Sequence, residues 1–157
     1  MITIEIVDSA AARKEFVGFA ERLYSATPQW VAPLRFDVLR QLDPVRGEYF
    51  RHGNTGELFV ARQDGRIVGR IAAFRNEAHL KFHQDDVGFF GFFECIDDQA
   101  VAAALLDAAA SWLKATGLVA MRGPANFNVQ EEAGVLLDGF EHQPMVGMNY
   151  TLPYYAA

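Results

Sequence analysis

The sequence predicts one α/β domain: a mixed, mostly antiparallel sheet of about six strands with helices on both faces. Three observations predict it. Two β-rich runs, ELFVAR and RIVGRIAAF, flank Asp64-Gly65, a hairpin signature. The run DVGFFGFFECI is apolar on both faces, as a central strand must be. It is followed by a long amphipathic helical stretch and then by LVAMRGP, a strand–helix–strand step whose right-handed crossover makes the two strands parallel neighbours.

The elements follow in order. ITIEIV alternates and reads as a strand. Asp8 or Ser9 can cap a helix running to about Ser25, because their side chains accept from free N–H groups of the first turn. Phe16, Phe19, Ala20 and Leu23 share one face of that helix, and Pro28 ends the element. Residues 28–56 are irregular, with a short helix around 34–42 and Trp30 as a packed anchor. In the central strand, Gly88 and Gly91 mark a bulge or a close approach. Asp97 and Asp98 cap the long helix, Val101, Leu105, Ala108 and Trp112 form its apolar stripe, and Gly117 closes it. GVLLDGFE reads as a short helix or turn, and PMVGMNYTL as a last strand.

Composition excludes several classes. Apolar residues make up 51% and aromatic residues 13%, enough for a core and too much for a disordered chain. With one cysteine, Cys95, there is no intrachain disulfide and no cysteine-based zinc site. No apolar run approaches the length of a membrane helix, and MITIEIVDSAAARKEF carries acids where a signal peptide is basic. The expectation is a soluble cytoplasmic protein. The net charge of −6 argues against nucleic-acid binding, which needs clustered Lys and Arg. The charge is uneven: residues 1–81 sum to +2 and residues 82–157 to −8.

Several segments carry a family resemblance. DGRIVGRIAAF is similar to the second-hairpin stretch "DGxxVGxxxL" of the GCN5-related N-acyltransferase (GNAT) superfamily. AALLDAAASWLKATG is similar to its cofactor-side helix, "RALLxxxxxWAxxxG", and LLDGFE to its "YxKLGFE" segment. More narrowly, GRIAAFRNEAH, GFFGFFE, RGPANFN and PYY resemble a bacterial family of acyltransferases with two such domains in tandem. The resemblance implies transfer of an acyl group from acetyl-CoA or another acyl-CoA to a small-molecule amine. It also implies that residues 1–157 are the N-terminal half of such a protein, lacking the last helix and strand, with a second acyltransferase domain as partner. In that reading Glu94, Cys95 and Ile96 offer backbone groups to the cofactor's pantetheine arm, while Ala100 and Ala102 lie in the pyrophosphate loop. That loop departs from the superfamily pattern [QR]-x-x-G-x-[GA]: Asp97 stands at the Arg/Gln position and Ala100 at the first Gly. Its carboxylates compete with an anion at the helix N-terminus. The tyrosine that many members use as general acid is also missing, since no Tyr lies between positions 50 and 149. The catalytic residues are therefore unassigned. A degenerate, non-catalytic half that binds substrate is the competing expectation, and a homodimer through open sheet edges is a third.

The remaining candidates are local. Arg122, Asn126, Asn128, Glu131 and Glu132 in RGPANFNVQEE either line a substrate cleft or form an ordinary Pro/Asn turn with a helix cap. Cys95 has Glu94 and Asp97 beside it, which raise a thiol's pKa, so it reads as a buried structural thiol. His79 and His83 have a metal-compatible spacing, but no third ligand is placed, so NEAHLKFHQDD reads as a surface turn and no metal is expected.

Overall fold

The computed structural model describes residues 1–127 and 130–156. Five strands form one sheet in sequence order: β1 (Ile2–Ile6), β2 (Thr55–Gln63), β3 (Arg66–Arg75), β4 (Val87–Cys95) and β5 (Ala120–Arg122). The first four pair antiparallel, and β5 joins β4 in parallel through Val87–Ala120, Gly88–Met121 and Phe89–Arg122. The helices are α1 (Ala10–Leu23), α2 (Arg35–Gln41), α3 (Glu77–His83) and α4 (Gln99–Ala115). Among the described residues no helix is long and apolar enough to cross a membrane.

Strand alternation divides the core into two layers. Val60, Ala72, Phe74 and Phe89 face α1 and α2, where they meet Phe16, Val17 and Val38. Phe59, Ala61, Ile71 and Ala73 face α4, where they meet Val101, Leu105, Ala109 and Leu113. The caps are local. Ser9 Oγ accepts the Ala12 N–H at 3.1 Å, and Asp98 Oδ1 accepts the Ala100 N–H at 2.8 Å. Asp98 alone caps α4 with its side chain, while Asp97 is exposed. The hairpin turn places Asp64 and Gly65 at φ 51° and 75°, the left-handed pair expected of a two-residue turn.

One irregularity positions the site. The pairing of β3 with β4 shifts register between Arg70–Glu94 and Ala72–Gly91, so β4 carries an extra residue there. Phe92 sits in the bulge with φ 48°, left-handed for a bulky residue. Gly91 is required beside it, because a Cβ there would collide with the Ala125 carbonyl oxygen. Without the bulge, alternation from Phe89 would send Phe92 and Glu94 toward α4. One extra residue reverses the phase, so both face α1, on the same side as Arg70.

Two sequence expectations change, the last strand and the turn at 77–83. The sheet has five strands, near the expected six, because 144–152 is irregular. The segment 134–141 forms turns, one of its two expected readings, with Gly134 and Gly139 at φ 86° and 80°, and Gly147 beyond it stands at 82°. Thr151 Oγ1 and Asn149 Nδ2, bonded to Leu136 N and the Gly134 carbonyl, replace a ladder there. Residues 77–83 are helical rather than a turn, capped by Asn76 Oδ1 accepting the His79 N–H at 3.0 Å. Among the described residues, no three His, Cys, Asp or Glu gather at metal-ligand spacing.

Candidate acceptor cleft

A cleft of about 410 Å³ opens beside β4. Its walls come from α1, the 30–41 segment, β3, β4, α4, residues 124–126 and 131–151, and Tyr155. Phe92, Val17 and Val38 of the α1-side layer line it together with Phe90, Phe93 and Leu106 of the α4-side layer. The lining reaches the surface at Val31, Leu34 and Met148, which are 56%, 66% and 51% exposed. Trp30 is held in the wall by stacking on Tyr24, with ring centroids 4.8 Å apart and planes at 12°.

Two opposite charges stand in this apolar wall. Arg70 and Glu94 are cross-strand partners, each only 8% exposed, and both line the cleft. Glu94 Oε2 accepts from Tyr155 Oη at 2.7 Å and from Tyr24 Oη at 2.9 Å. Burial raises the Glu94 pKa above the ordinary carboxylate value, opposed by the Arg70 charge and the two tyrosine hydrogen bonds. Burial likewise pushes both tyrosine hydroxyls upward, and the Glu94 charge adds to it, so they remain protonated donors. Arg70 Nη1 donates to the Phe16 and Val17 carbonyls at 3.1 and 3.5 Å. Its guanidinium lies 5.1 Å from the Phe16 ring centroid and 5.9 Å from that of Phe92. Around this pair, the other charged residues lining the cleft are Glu21, Asp37, Glu131 and Glu132, so the cavity is acidic as well as apolar and favours a cation.

The edge of β4 beyond Phe89 is closed within the chain, and two of the residues that close it, Asn126 and Tyr155, also line the cleft. The polar groups of that edge are taken by loop and C-terminal residues. The Phe90 carbonyl accepts the Ala125 N–H at 2.8 Å, and Asn126 Oδ1 accepts the Phe92 N–H at 2.8 Å. Tyr154 and Tyr155 lie in a C-terminal 3₁₀ turn, Pro153–Ala156. The Cys95 N–H donates to Tyr155 Oη at 2.8 Å, and the Cys95 carbonyl accepts from Tyr154 Oη at 2.6 Å. The Ile96 N–H is paired to the Val68 carbonyl at 3.0 Å. The Cys95 thiol is buried and pushed up to about 12, by burial first and then by the Glu94, Asp98 and Asp97 charges.

The fold is similar to that of a solved acetyltransferase. An aminoglycoside acetyltransferase from an uncultured soil metagenomic sample, solved with sisomicin, superposes with a TM-score of 0.56 at 12% identity, covering 80% of this chain and 78% of that one. The chain has the GNAT fold. No protein-family model matches the sequence. Two curated proteins align with it over nearly its whole length. Protein YghO of Escherichia coli is 36% identical over 92% of this chain, and the bacterial ceramide synthase of Caulobacter vibrioides is 36% identical over 96% of it. The chain spans 36% and 39%, respectively, of those two relatives.

Within the GNAT fold, α4 is the helix whose N-terminus the sequence resemblance assigns to the cofactor's pyrophosphate. Here the Ala100 N–H donates to the Asp98 carboxylate, and the Ala102 N–H to the Asp98 carbonyl at 3.1 Å. Of these two, the Ala100 N–H is held by the Asp98 side chain, and the Ala102 bond is the first i→i−4 bond of the helix itself. The N–H groups of Cys95 and Ile96, which the resemblance assigns to a pantetheine arm, also have partners within the chain.

The loop after β5 divides. Asn126 and Glu131 line the cleft, and Glu132 Oε2 accepts from Asn126 Nδ2 at 3.0 Å. Arg122 is exposed at the end of β5 and is not among the residues lining the cleft. Asn128 lies outside the described residues. Sequence reading missed Arg70, Tyr24, Tyr155 and the side chain of Glu94. The available signal was one charge inside each of two otherwise apolar runs, Arg70 in IVGRIAAF and Glu94 in GFFGFFECI.

Proposed function

We propose that the chain supplies the acceptor side of an N-acyltransferase: the cleft holds a primary amine on an aliphatic chain, and Glu94 takes the proton from its ammonium group. The observation that carries this reading is the buried Glu94 carboxylate in the wall of an acidic, apolar cleft. A raised carboxylate pKa narrows the gap to an ammonium and makes Glu94 a more competent base. Tyr24 and Tyr155 hold Oε2, so the incoming ammonium is assigned to Oε1. Proton transfer leaves a neutral amine with its lone pair free and a neutral Glu94. The apolar walls and exposed apolar mouth fit an aliphatic tail better than a polyhydroxylated acceptor. The relation to a ceramide synthase supports the same class, because a ceramide is an N-acylated long-chain amino alcohol.

No donor step is assigned to this chain. The Asp98 cap and the occupied β4 edge support a degenerate cofactor side, so the activated acyl group would come from a second acyltransferase domain or another subunit. Calorimetric titration with undecylamine at neutral pH tests the acceptor assignment. Saturable micromolar binding is expected, weakened about a hundredfold in Glu94→Gln. Undiminished binding in that variant would remove Glu94 from the role. Amide formation from undecylamine and an acyl-CoA by this chain alone would place the donor site here too.

A further inference from the structure

We propose that the cleft selects an amine carrying a carboxylate on the adjacent carbon, an α-amino-acid head group on an apolar tail, with Arg70 binding the carboxylate while Glu94 holds the ammonium. This rests on the acceptor reading above and adds a substrate class to it. Four observations support it. Arg70 is the only cationic side chain lining the cleft among the described residues. Its Nε is buried and has no hydrogen-bond partner, an uncommon state for a charged donor in a native core. No ion pair joins Arg70 to Glu94 among the described residues, although the two are register partners on one face of the sheet, so neither satisfies the other directly. Arg70 Nη1 is engaged by the Phe16 and Val17 carbonyls, which leaves Nη2 as the guanidinium group that a carboxylate in the cleft can meet.

Charge decides between anions. Glu21, Asp37, Glu131 and Glu132 also line the cavity. A phosphate or other net anion would be repelled by them, whereas a zwitterion enters with no net charge and places each end against its opposite. The Cβ atoms of directly opposed strand residues lie about 5 Å apart, so the two side chains rise from adjoining points on one face of the sheet.

The test is a matched pair of ligands titrated into the whole chain below their micelle concentrations. α-Aminododecanoate and undecylamine differ only in the carboxylate. The acid is expected to bind at least about tenfold more tightly. Arg70→Gln, which keeps a neutral amide in place of the guanidinium, should bring the ratio close to one while undecylamine still binds. Arg70→Lys should keep a reduced preference. If Arg70→Gln does not fold, α-aminododecanamide replaces it: this analogue keeps the ammonium, carries an uncharged amide in place of the carboxylate, and should bind the natural chain like the amine. Equal affinities for acid and amine in the natural chain, or a preference that survives in Arg70→Gln, would overturn the proposal and leave the acceptor reading standing. Failure of both ligands to bind would overturn both.

Discussion

The two sides of strand β4 use the same backbone in opposite ways. Toward α1, Glu94 and Arg70 are buried, charged and not paired with each other, in a cleft open to solvent. Toward the C-terminal turn, the main-chain groups of Phe92 and Cys95 are matched by Asn126, Tyr154 and Tyr155, and Asp98 caps α4. The contrast separates two kinds of polar group. A buried charge without a direct countercharge costs stability and persists where a ligand completes it. A strand edge whose main-chain groups are matched by hydroxyls and an amide costs little.

The largest effect is expected where the two sides meet. Tyr155 touches both Glu94 and Cys95, and Tyr154 touches Cys95. The double change Tyr154→Phe with Tyr155→Phe removes these donors and should cost about 3 kcal/mol in urea unfolding. A loss under about 0.5 kcal/mol would mean that water seals the edge equally well and that the closed side is not closed by these residues.

Gly91→Ala comes next. Its Cβ would strike the Ala125 carbonyl oxygen, so the 124–126 segment must move off the bulge at a cost of about 1–3 kcal/mol. Undecylamine binding should weaken in the same variant, because the bulge is what turns Glu94 to the cleft. Full binding in a destabilised Gly91→Ala chain would separate the bulge from the site.

The open side should also be visible in pH. The folded chain holds the Glu94 proton more tightly than the unfolded chain does. This contribution to stability is therefore fully present below the ordinary carboxylate pKa. It declines as pH rises through the raised folded value. Glu94→Gln, which mimics the protonated acid, should flatten that decline, so its melting temperature relative to the natural chain should rise with pH across the window. A constant difference would show that Glu94 has an ordinary pKa.

The smallest effect belongs to the helix cap. Asp98→Ala should cost about 1 kcal/mol of stability and leave undecylamine affinity unchanged, as the cap lies on the closed side. A change in amine binding would couple the two sides.

Local physics made much of the fold legible in the sequence. The Asp64-Gly65 hairpin, the Ser9 and Asp98 caps and the Gly117 stop each depend on a few neighbouring residues, and all stand in the structure. The site was less legible because it depends on register. Glu94 sits in an apolar strand, and only the bulge at Phe92, fixed by contact with Ala125, turns it toward Arg70 and Tyr24. Tyr155 reaches Glu94 across 61 positions of sequence. The segment 144–152 was misread because its apolar residues suggested a strand, while it stands irregular with Gly147 at positive φ.

The most direct measurement is a calorimetric comparison of undecylamine and acetyl-CoA on the same preparation of the chain. If one side of β4 is a working acceptor cleft and the other is sealed, the amine saturates at micromolar concentration and acetyl-CoA gives no saturable heat in that range. Low-micromolar binding of acetyl-CoA, with no binding of the amine, would contradict it.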